Sequence, residues 1–445
     1  MTPRRVIRSY MLIAAIYTLS ASLIWGVNTL FLLKAGLTIA EVFIANAAFT
    51  AGMVIFEIPT GVLADTAGRR ASFLLSVLVL SASTLAYLAV SETGGGVLAF
   101  SIISIFLGLG FTFYSGAVEA WLVDALKATD YQGDLDAVFS RGAMVTGAAM
   151  LIGSISGGFL GSVDLALPFI GRALLLLVSF VIAYFTMHDL GYTPRALKLA
   201  RIPAEMRAVA DASVTYGWRQ PNLRLLMIAG AIQGGFMMWA FYAWQPYFLA
   251  LFGDPGAVYI AGIITALLSL STIAGNWLVE RLTRHCGKRT TIMIGAMVVF
   301  VICMTGVGLT SSFYLAVTLF LIAMGTTGVS QPVRQSYIHH LAPSEQRATI
   351  VSVDSMFASG GAIVSQIGLG QVAQTGGIAQ GYVIGGVASA LCLPLLLVLR
   401  GRPSPADNIV GRASHQGGQA GQGLPANTQV DCTPQHPVAD GSAGT

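Results

Sequence analysis

Three carboxylates stand inside long apolar stretches of this chain, Glu57, Glu119 and Asp354. A charged side chain at membrane depth is costly, and where it occurs it relays a proton, binds a cation or answers an opposite charge. Glu57, Gly61 and Asp65 are spaced by four, so they share one helical stripe. At 1.5 Å per residue, Glu57 lies about 12 Å from the polar end that Asp65 marks. Glu119 has a polar counterpart in Gln331, in what reads as a second copy of its segment, and this turns both toward a common interior. Asp354, two turns into its segment, reads either as a third proton site or as a partner for Arg334 or Arg347. The competing reading of each glutamate is structural, a side chain hydrogen-bonded to neighbouring helices.

A second constellation lies at Gly61-Val62-Leu63-Ala64-Asp65-Thr66-Ala67-Gly68-Arg69-Arg70. It reads as a tight hairpin between two helices, with Gly68 supplying the positive φ of a short turn. Asp65 can cap the N-terminus of a facing helix, where partial positive charge favours a carboxylate, and Arg69 or Arg70 can pair with Asp124. Such a network closes one side of a pore in one state and breaks in another; the competing reading is a basic pair that only anchors topology. A third set, Gln233, Met237, Trp244 and Phe248 on one stripe with Tyr17 and Asn28 elsewhere, offers the aromatic, thioether and amide groups that suit a bulky lipophilic ligand. Each of these, taken singly, also fits plain helix packing.

The elements that carry these residues are membrane helices. Hydrophobic residues make up 55% of the chain against 10% charged, with 51 glycines, and a soluble domain of this length needs far more charge to cover its surface. A bilayer core takes about 20 helical residues, and twelve apolar runs of that order occur, at 11–33, 41–64, 71–90, 97–124, 137–161, 168–187, 222–251, 257–280, 290–310, 312–340, 348–374 and 378–399. The first follows Arg4, Arg5 and Arg8, but it is too long for the apolar core of a signal peptide and is read as a retained helix. With both termini inside, only Lys34 and Arg172 of the 24 basic residues fall toward the outer face, as the positive-inside rule requires. The expected fold is therefore an all-α membrane protein of 12 transmembrane helices.

The stretch 188–221, rich in Arg and Lys, divides the spans six and six. The expected domains are an N-terminal six-helix bundle at 1–187, a cytoplasmic linker at 188–221 in which Pro203 opens a short surface helix, a C-terminal six-helix bundle at 222–400, and a disordered cytoplasmic tail at 401–445 whose composition cannot support a core. Weak internal symmetry supports two related bundles: Arg141-Gly-Ala-Met-Val-Thr and Arg347-Ala-Thr-Ile-Val-Ser begin 206 residues apart, and Ser115-Gly-Ala-Val-Glu119 and Thr327-Gly-Val-Ser-Gln331 begin 212 apart. Repeated halves with a mid-membrane site between them are a transporter plan.

The hairpin pattern G-x-x-x-D-x-x-G-R-R resembles the signature between the second and third helices of the major facilitator superfamily, and the resemblance extends over about residues 5–400. Phe56-Glu-Ile-Pro-Thr60, Gly116-Ala-Val-Glu-Ala-Trp121 and Pro343-Ser-Glu-Gln-Arg-Ala-Thr349 are similar to its 12-helix drug:proton antiporter branch. Gly153-Ser-Ile-Ser-Gly-Gly158 resembles the antiporter motif G-P-x-x-G-G, with Ser154 where that motif has proline. The resemblance implies two pseudo-symmetric six-helix bundles in the plasma membrane. It implies secondary transport by alternating access, with proton-coupled efflux of a small hydrophobic or amphipathic compound as the leading expectation and uptake or exchange of a small polar metabolite as the alternative. The gating residues are then Gly61, Asp65, Gly68, Arg69, Arg70 and Asp124, the proton-coupling candidates Glu57, Glu119 and Asp354, and the cavity candidates Tyr17, Asn28, Gln233, Met237, Trp244 and Gln331.

The expected partners are a small-molecule substrate, a proton or sodium as coupling ion, and the lipid bilayer, around a monomer. The net charge of +4 carries no sign of nucleic-acid binding, because the basic residues are scattered through loops. Cys286, Cys303, Cys392 and Cys432 have neither metal nor disulfide spacing. No catalytic triad, metal spacing or phosphate loop occurs, and His188, His285, His339 and His340 fall near helix ends; no enzyme, no cofactor and no metal are expected.

Overall fold

Local signals place most helix ends. Thr38 and Glu41 form a capping box that opens α3 (Ile39–Ala67), Asp134 accepts the Asp136 N–H at 2.9 Å ahead of α7 (Leu135–Val163), and prolines begin α1 (Pro3–Ser22), α8 (Leu167–Thr186) and α9 (Pro221–Phe252). These residues satisfy, or do without, the N–H groups that a helix start leaves unpaired. Between these lie α2 (Asn28–Lys34), α4 (Arg69–Thr93), α5 (Gly96–Tyr114) and α6 (Ala117–Ala128). After α9 come α10 (Val258–His285), α11 (Arg289–Leu309), α12 (Phe313–Leu341), α13 (Arg347–Gly376), α14 (Ile378–Ser389) and α15 (Cys392–Gly401). The computed structural model describes residues 1–192, 207, 218–343 and 347–409. The expected surface helix at Pro203, most of the linker, residues 344–346 of the stretch before α13, and the tail from 410, Cys432 included, lie outside the described residues.

Eleven helical segments among the described residues are long and apolar enough to cross a membrane; α5 with α6, and α14 with α15, each count as one. The expected continuous span at 11–33 is instead split at residues 23–27, and neither α1 nor α2 is among the eleven. The span expected at 97–124 breaks at residues 115–116, where Gly116 takes φ +74°, and the one at 378–399 breaks at 390–391. Residues 401–409, expected to be disordered, fold back: Asp407 accepts the Thr290 N–H and hydroxyl, each at 2.8 Å, and Lys288 pairs with Asn408 across a β-bridge. A carboxylate at the start of α11 is favoured there by the helix's partial positive charge.

Packing follows small residues. A Cβ on Gly52 or Gly108 would press on the facing backbone of α5 or α3, and one on Gly361 would strike Ala231 of α9, so these pairs approach as closely as backbone allows. α3 and α5, α4 and α8, and α1 and α7 pack together, as do α9 with α13 and α11 with α12. Trp239, Trp244, Phe248, Phe300, Phe320 and Tyr382 anchor one apolar core around α9 to α15; Phe73 and Trp121 anchor another around α1, α4 and α6. Helices from before and after residue 192 meet along α3 against α13 and α7 against α10. There Gly158 lies against the backbone of Gly262, and Gly370 against Phe43.

One ion pair ties α12 to α13. Arg334, 9% exposed, donates from both terminal nitrogens to Asp354, at 2.7 Å for Nη1 to Oδ2, and from Nη2 to the Leu226 carbonyl of α9 at 3.1 Å. Removing one partner of a buried pair strands the other charge, whereas replacing both with apolar residues is often tolerated. Asp354→Asn is therefore expected to cost about 3 kcal/mol, read as a lower unfolding temperature in detergent. The pair Arg334→Met with Asp354→Leu should recover most of that loss. Equal stability of Asp354→Asn and the wild type would remove the structural role.

Candidate functional site

The broken first span builds one end of a central cavity. Residues 23–27 leave backbone groups without helical partners, and the side chain of Gln245, fully buried in α9, supplies two: its Oε1 accepts the Thr29 N–H at 2.9 Å and its Nε2 donates to the Trp25 carbonyl at 2.8 Å. Thr29 Oγ1 donates to the Tyr242 carbonyl at 2.8 Å. On the other side, Gln366 of α13, also fully buried, donates to Thr50 Oγ1 of α3 at 3.2 Å. With the contact of Gly158 on Gly262, these close one end of the interface between the earlier and later helices. At that end Asp164, held below the usual carboxylate range by the Ala166 N–H and by Lys34 at 3.1 Å, fastens the α7–α8 turn to α2.

Beneath this seal lies a cavity of about 460 Å³ lined by Tyr17, Asn28, Asn46, Tyr87, Arg172 and Tyr242, with Trp25 also in its wall. A chamber of about 450 Å³ adjoins it through the shared residues Met53, Met238 and Phe241, and adds Gln233, Met237 and Gln331. Five of the six expected cavity residues, Tyr17, Asn28, Gln233, Met237 and Gln331, thus line the connected space. Trp244 does not: it is fully buried in the later helices' core beside Phe248. The cavity sits on the Gly234, Met238 and Phe241 side of α9, and the expected stripe runs along its edge, which a repeat of 3.6 residues carries into the core at Trp244.

Away from the seal, Glu57, Gly61, Glu119 and Gln331 are exposed. Glu57 is one turn beyond Met53 on α3 and belongs to none of the ion pairs among the described residues. Glu119 lines a separate cavity of about 600 Å³ with Tyr10, Tyr114 and Ile273. Asp354, the third proton candidate, is engaged with Arg334 and stands apart from both. Among the described residues no group of three or more His, Cys, Asp or Glu is placed to hold a metal ion.

The hairpin closes through one residue: Gly68, with φ +101°, is all that separates α3 from α4. Arg69 Nη1 meets Asp65 Oδ1 at 2.9 Å, while Arg70 donates through Nη2 to the Tyr184 carbonyl at 2.7 Å and lies over the Tyr184 ring. Neither arginine reaches the Asp124 carboxylate, which corrects the expected pairing. The sharp turn brings Asp65 back to Arg69, and the last turn of α8, through Tyr184, together with the segment that follows it, occupies Arg70. That segment also takes the capping role expected of Asp65: Asp189 Oδ1 accepts the Arg70 N–H at 2.9 Å at the start of α4. Trp121 Nε1 donates to the His188 carbonyl at 2.7 Å and holds it in place.

Reading the sequence missed Arg172, Asn46, Gln245 and Asp189. Arg172 falls within the expected span 168–187 and counts there only as a charge toward the outer face, although five apolar or small residues precede it in α8. Asn46 is a lone amide in an otherwise apolar run, and Gln245 immediately precedes Pro246 within α9, both visible signals of buried polar work. Asp189 left no such signal, because the helix start it caps lies 119 positions earlier in the chain.

The sequence model described as the Major Facilitator Superfamily matches residues 10–291 and 257–424. The chain is 22% identical over 384 residues, covering 83% of it and 89% of the relative, to the uncharacterized MFS-type transporter YxaM of Bacillus subtilis strain 168. Among solved structures it is similar to the nucleoside transporter NupG, with a TM-score of 0.73 at 12% identity over 89% of this chain and 100% of that one. It is also similar to a D-xylose-proton symporter, with a TM-score of 0.65 at 15% identity over 90% and 99%. With its membrane-spanning helices, its hairpin and its central cavity between the two sets of helices, the chain belongs to the Major Facilitator Superfamily of multi-pass membrane transporters and is not an enzyme.

Proposed function

We propose that this protein is a secondary transporter working by alternating access, in the plasma membrane with both termini in the cytoplasm, α1 with α2 forming the twelfth crossing and the six-helix halves 1–187 and 222–400 rocking about the central cavity. The observation that carries this reading is the cavity itself, sealed at one end by Gln245, Gln366 and the Gly158–Gly262 contact, with exposed Glu57 and Glu119 toward the other. Export of a small amphipathic compound in exchange for protons is the leading form. The aromatic and thioether lining suits a bulky apolar body, and Glu57, free of any cationic partner among the described residues, is placed to load and release a proton. The second form, uptake or exchange of a polar metabolite, draws support from Arg172, Asn28 and Asn46 in the cavity wall.

In the present conformation Asp65 of the hairpin pairs with Arg69 and with no other cation among the described residues. When the halves close at that end, Asp65 is the carboxylate free to meet the N-terminus of a facing helix, and this contact gates the pore.

Cells lacking their own exporters, loaded with fluorescent amphipathic compounds of either charge, provide the test. Lower accumulation with the wild-type chain, restored by a proton uncoupler, is expected; accumulation that ignores the uncoupler would remove proton coupling. Glu57→Gln is expected to lose export against a gradient while keeping exchange of labelled for unlabelled compound, and full export by this variant excludes Glu57 from coupling. Asp65→Asn should insert and fold normally yet slow transport by at least about tenfold, the effect of a bias of about 1.4 kcal/mol against one state. Gly158→Val should prevent the sealed conformation, since its Cβ would stand 2.6 Å from the Gly262 Cα. A cysteine introduced at Asn46 in that background would then react with an impermeant thiol reagent from the sealed side, and protection equal to that of the unaltered seal would refute the assignment.

A further inference from the structure

Arg172 is a charge without an evident counterpart. It lies one and a half turns into α8, in the wall of the cavity beneath the seal. Among the described residues no carboxylate stands within 4.0 Å of it, and its buried Nε has no hydrogen-bond partner. The other embedded arginine, Arg334, shares an unpartnered Nε but is answered through both terminal nitrogens by Asp354, so it is the missing carboxylate that sets Arg172 apart. An uncompensated guanidinium at membrane depth is costly, and such residues mark substrate or ion pathways. Three tyrosines, Tyr17, Tyr87 and Tyr242, line the same cavity, and they provide hydroxyls but no negative charge.

A second group points the same way. Asn46, 4% exposed in α3 and lining the same cavity, directs its Oδ1 to the Asn28 amide at 3.3 Å, while its Nδ2 has no partner. The cavity therefore presents two unanswered donors, one of them cationic, contributed by two different helices. Donors left unpaired in a site are completed by an acceptor on the ligand, and a guanidinium matches the planar fork of a carboxylate. No lysine or second arginine joins Arg172 in either chamber, so the site neutralises one negative charge. The remaining wall is largely apolar and aromatic, with Phe49, Phe111 and Phe241 among its members.

We infer that Arg172 and Asn46 form the recognition site for the single carboxylate of an amphipathic organic monoanion, whose apolar body lies among Tyr17, Phe49, Met238 and Phe241. The inference deepens the transport reading by naming the substrate class, and it rests on that reading only in taking the cavity as the substrate's site. It sets this protein against lipophilic cations, which Arg172 repels, and against dicarboxylates and phosphate dianions, whose second charge finds no partner.

The test uses the purified full-length chain and probes of one shape and three charges: benzoate, cinnamate and indole-3-acetate, their primary amides, and the corresponding ammonium compounds. Ligand-dependent thermal shifts in detergent should appear with carboxylates and be absent with amides and amines. Arg172→Gln should weaken carboxylate binding on the order of 100-fold, as truncating one partner of a desolvated charge pair does. Arg172→Lys, which keeps the charge but not the fork, should lose less. Asn46→Asp should weaken carboxylate binding and still give no shift with the amides. Because Arg172→Gln can fail for reasons of folding, Arg172→Lys and Asn46→Asp provide readouts in chains that keep a cation or the isosteric side chain.

Carboxylate binding unchanged in Arg172→Gln, ammonium compounds binding as well as carboxylates, or no shift with any carboxylate would each overturn the inference. Proteoliposome counterflow separates it from the transport reading. Cations carried independently of Arg172 would leave a transporter and remove the anion site. Carboxylates bound through Arg172 but not moved would keep the site and remove transport.

Discussion

At membrane depth a backbone amide without a partner costs several kcal/mol, so irregular backbone survives only where protein supplies the missing hydrogen bonds. The break at residues 23–27 is the place where this fold meets that constraint most directly, and Gln245 meets it by accepting from Thr29 and donating to Trp25. One buried side chain from the later helices thus completes the backbone of an early one. A leucine of similar size in its place would leave two polar groups of the first span unpaired. The break is needed because it sets Asn28 and Trp25 into the cavity wall, which a straight helix through 11–33 would present differently.

The same economy governs charge. Other embedded or half-embedded arginines are answered locally: Arg334 by Asp354, Arg69 by Asp65, Arg70 by a carbonyl and an aromatic face. Against that background Arg172 is the exception, and an exception to a costly rule is where function is to be sought. Glu57 and Glu119 are exceptions of a milder kind, because neither is buried in the protein in this conformation.

Much of this was legible in the sequence. The apolar runs gave the helices, since hydropathy reports a burial requirement each helix meets by itself, and the glycine at position 68 gave the hairpin, because a one-residue turn with positive φ admits little else. What escaped was long-range. The Arg70–Asp189 and Gln366–Thr50 contacts join residues 119 and 316 positions apart, and nothing local encodes either meeting. Trp244 failed for a geometric reason: residues at the margin of a helical face share its spacing, and only the neighbouring helices decide which side of the margin is wet. Arg172 escaped because charge counting reports only which face of the membrane a basic residue lies toward, and not whether its side chain turns inward to a cavity.

Seal and site are not separate structures. Tyr242 turns its side chain to the cavity while its carbonyl accepts the Thr29 hydroxyl, and Trp25 lines the cavity while its carbonyl accepts from Gln245. A ligand that shifts either side chain therefore acts on a hydrogen bond that closes the end above it. A ligand moves a two-state equilibrium only by the difference in its affinity for the two states, and sharing residues between site and seal is a direct way to create that difference. No relay through intervening helices is then required, because the wall that senses the ligand is the wall that must open.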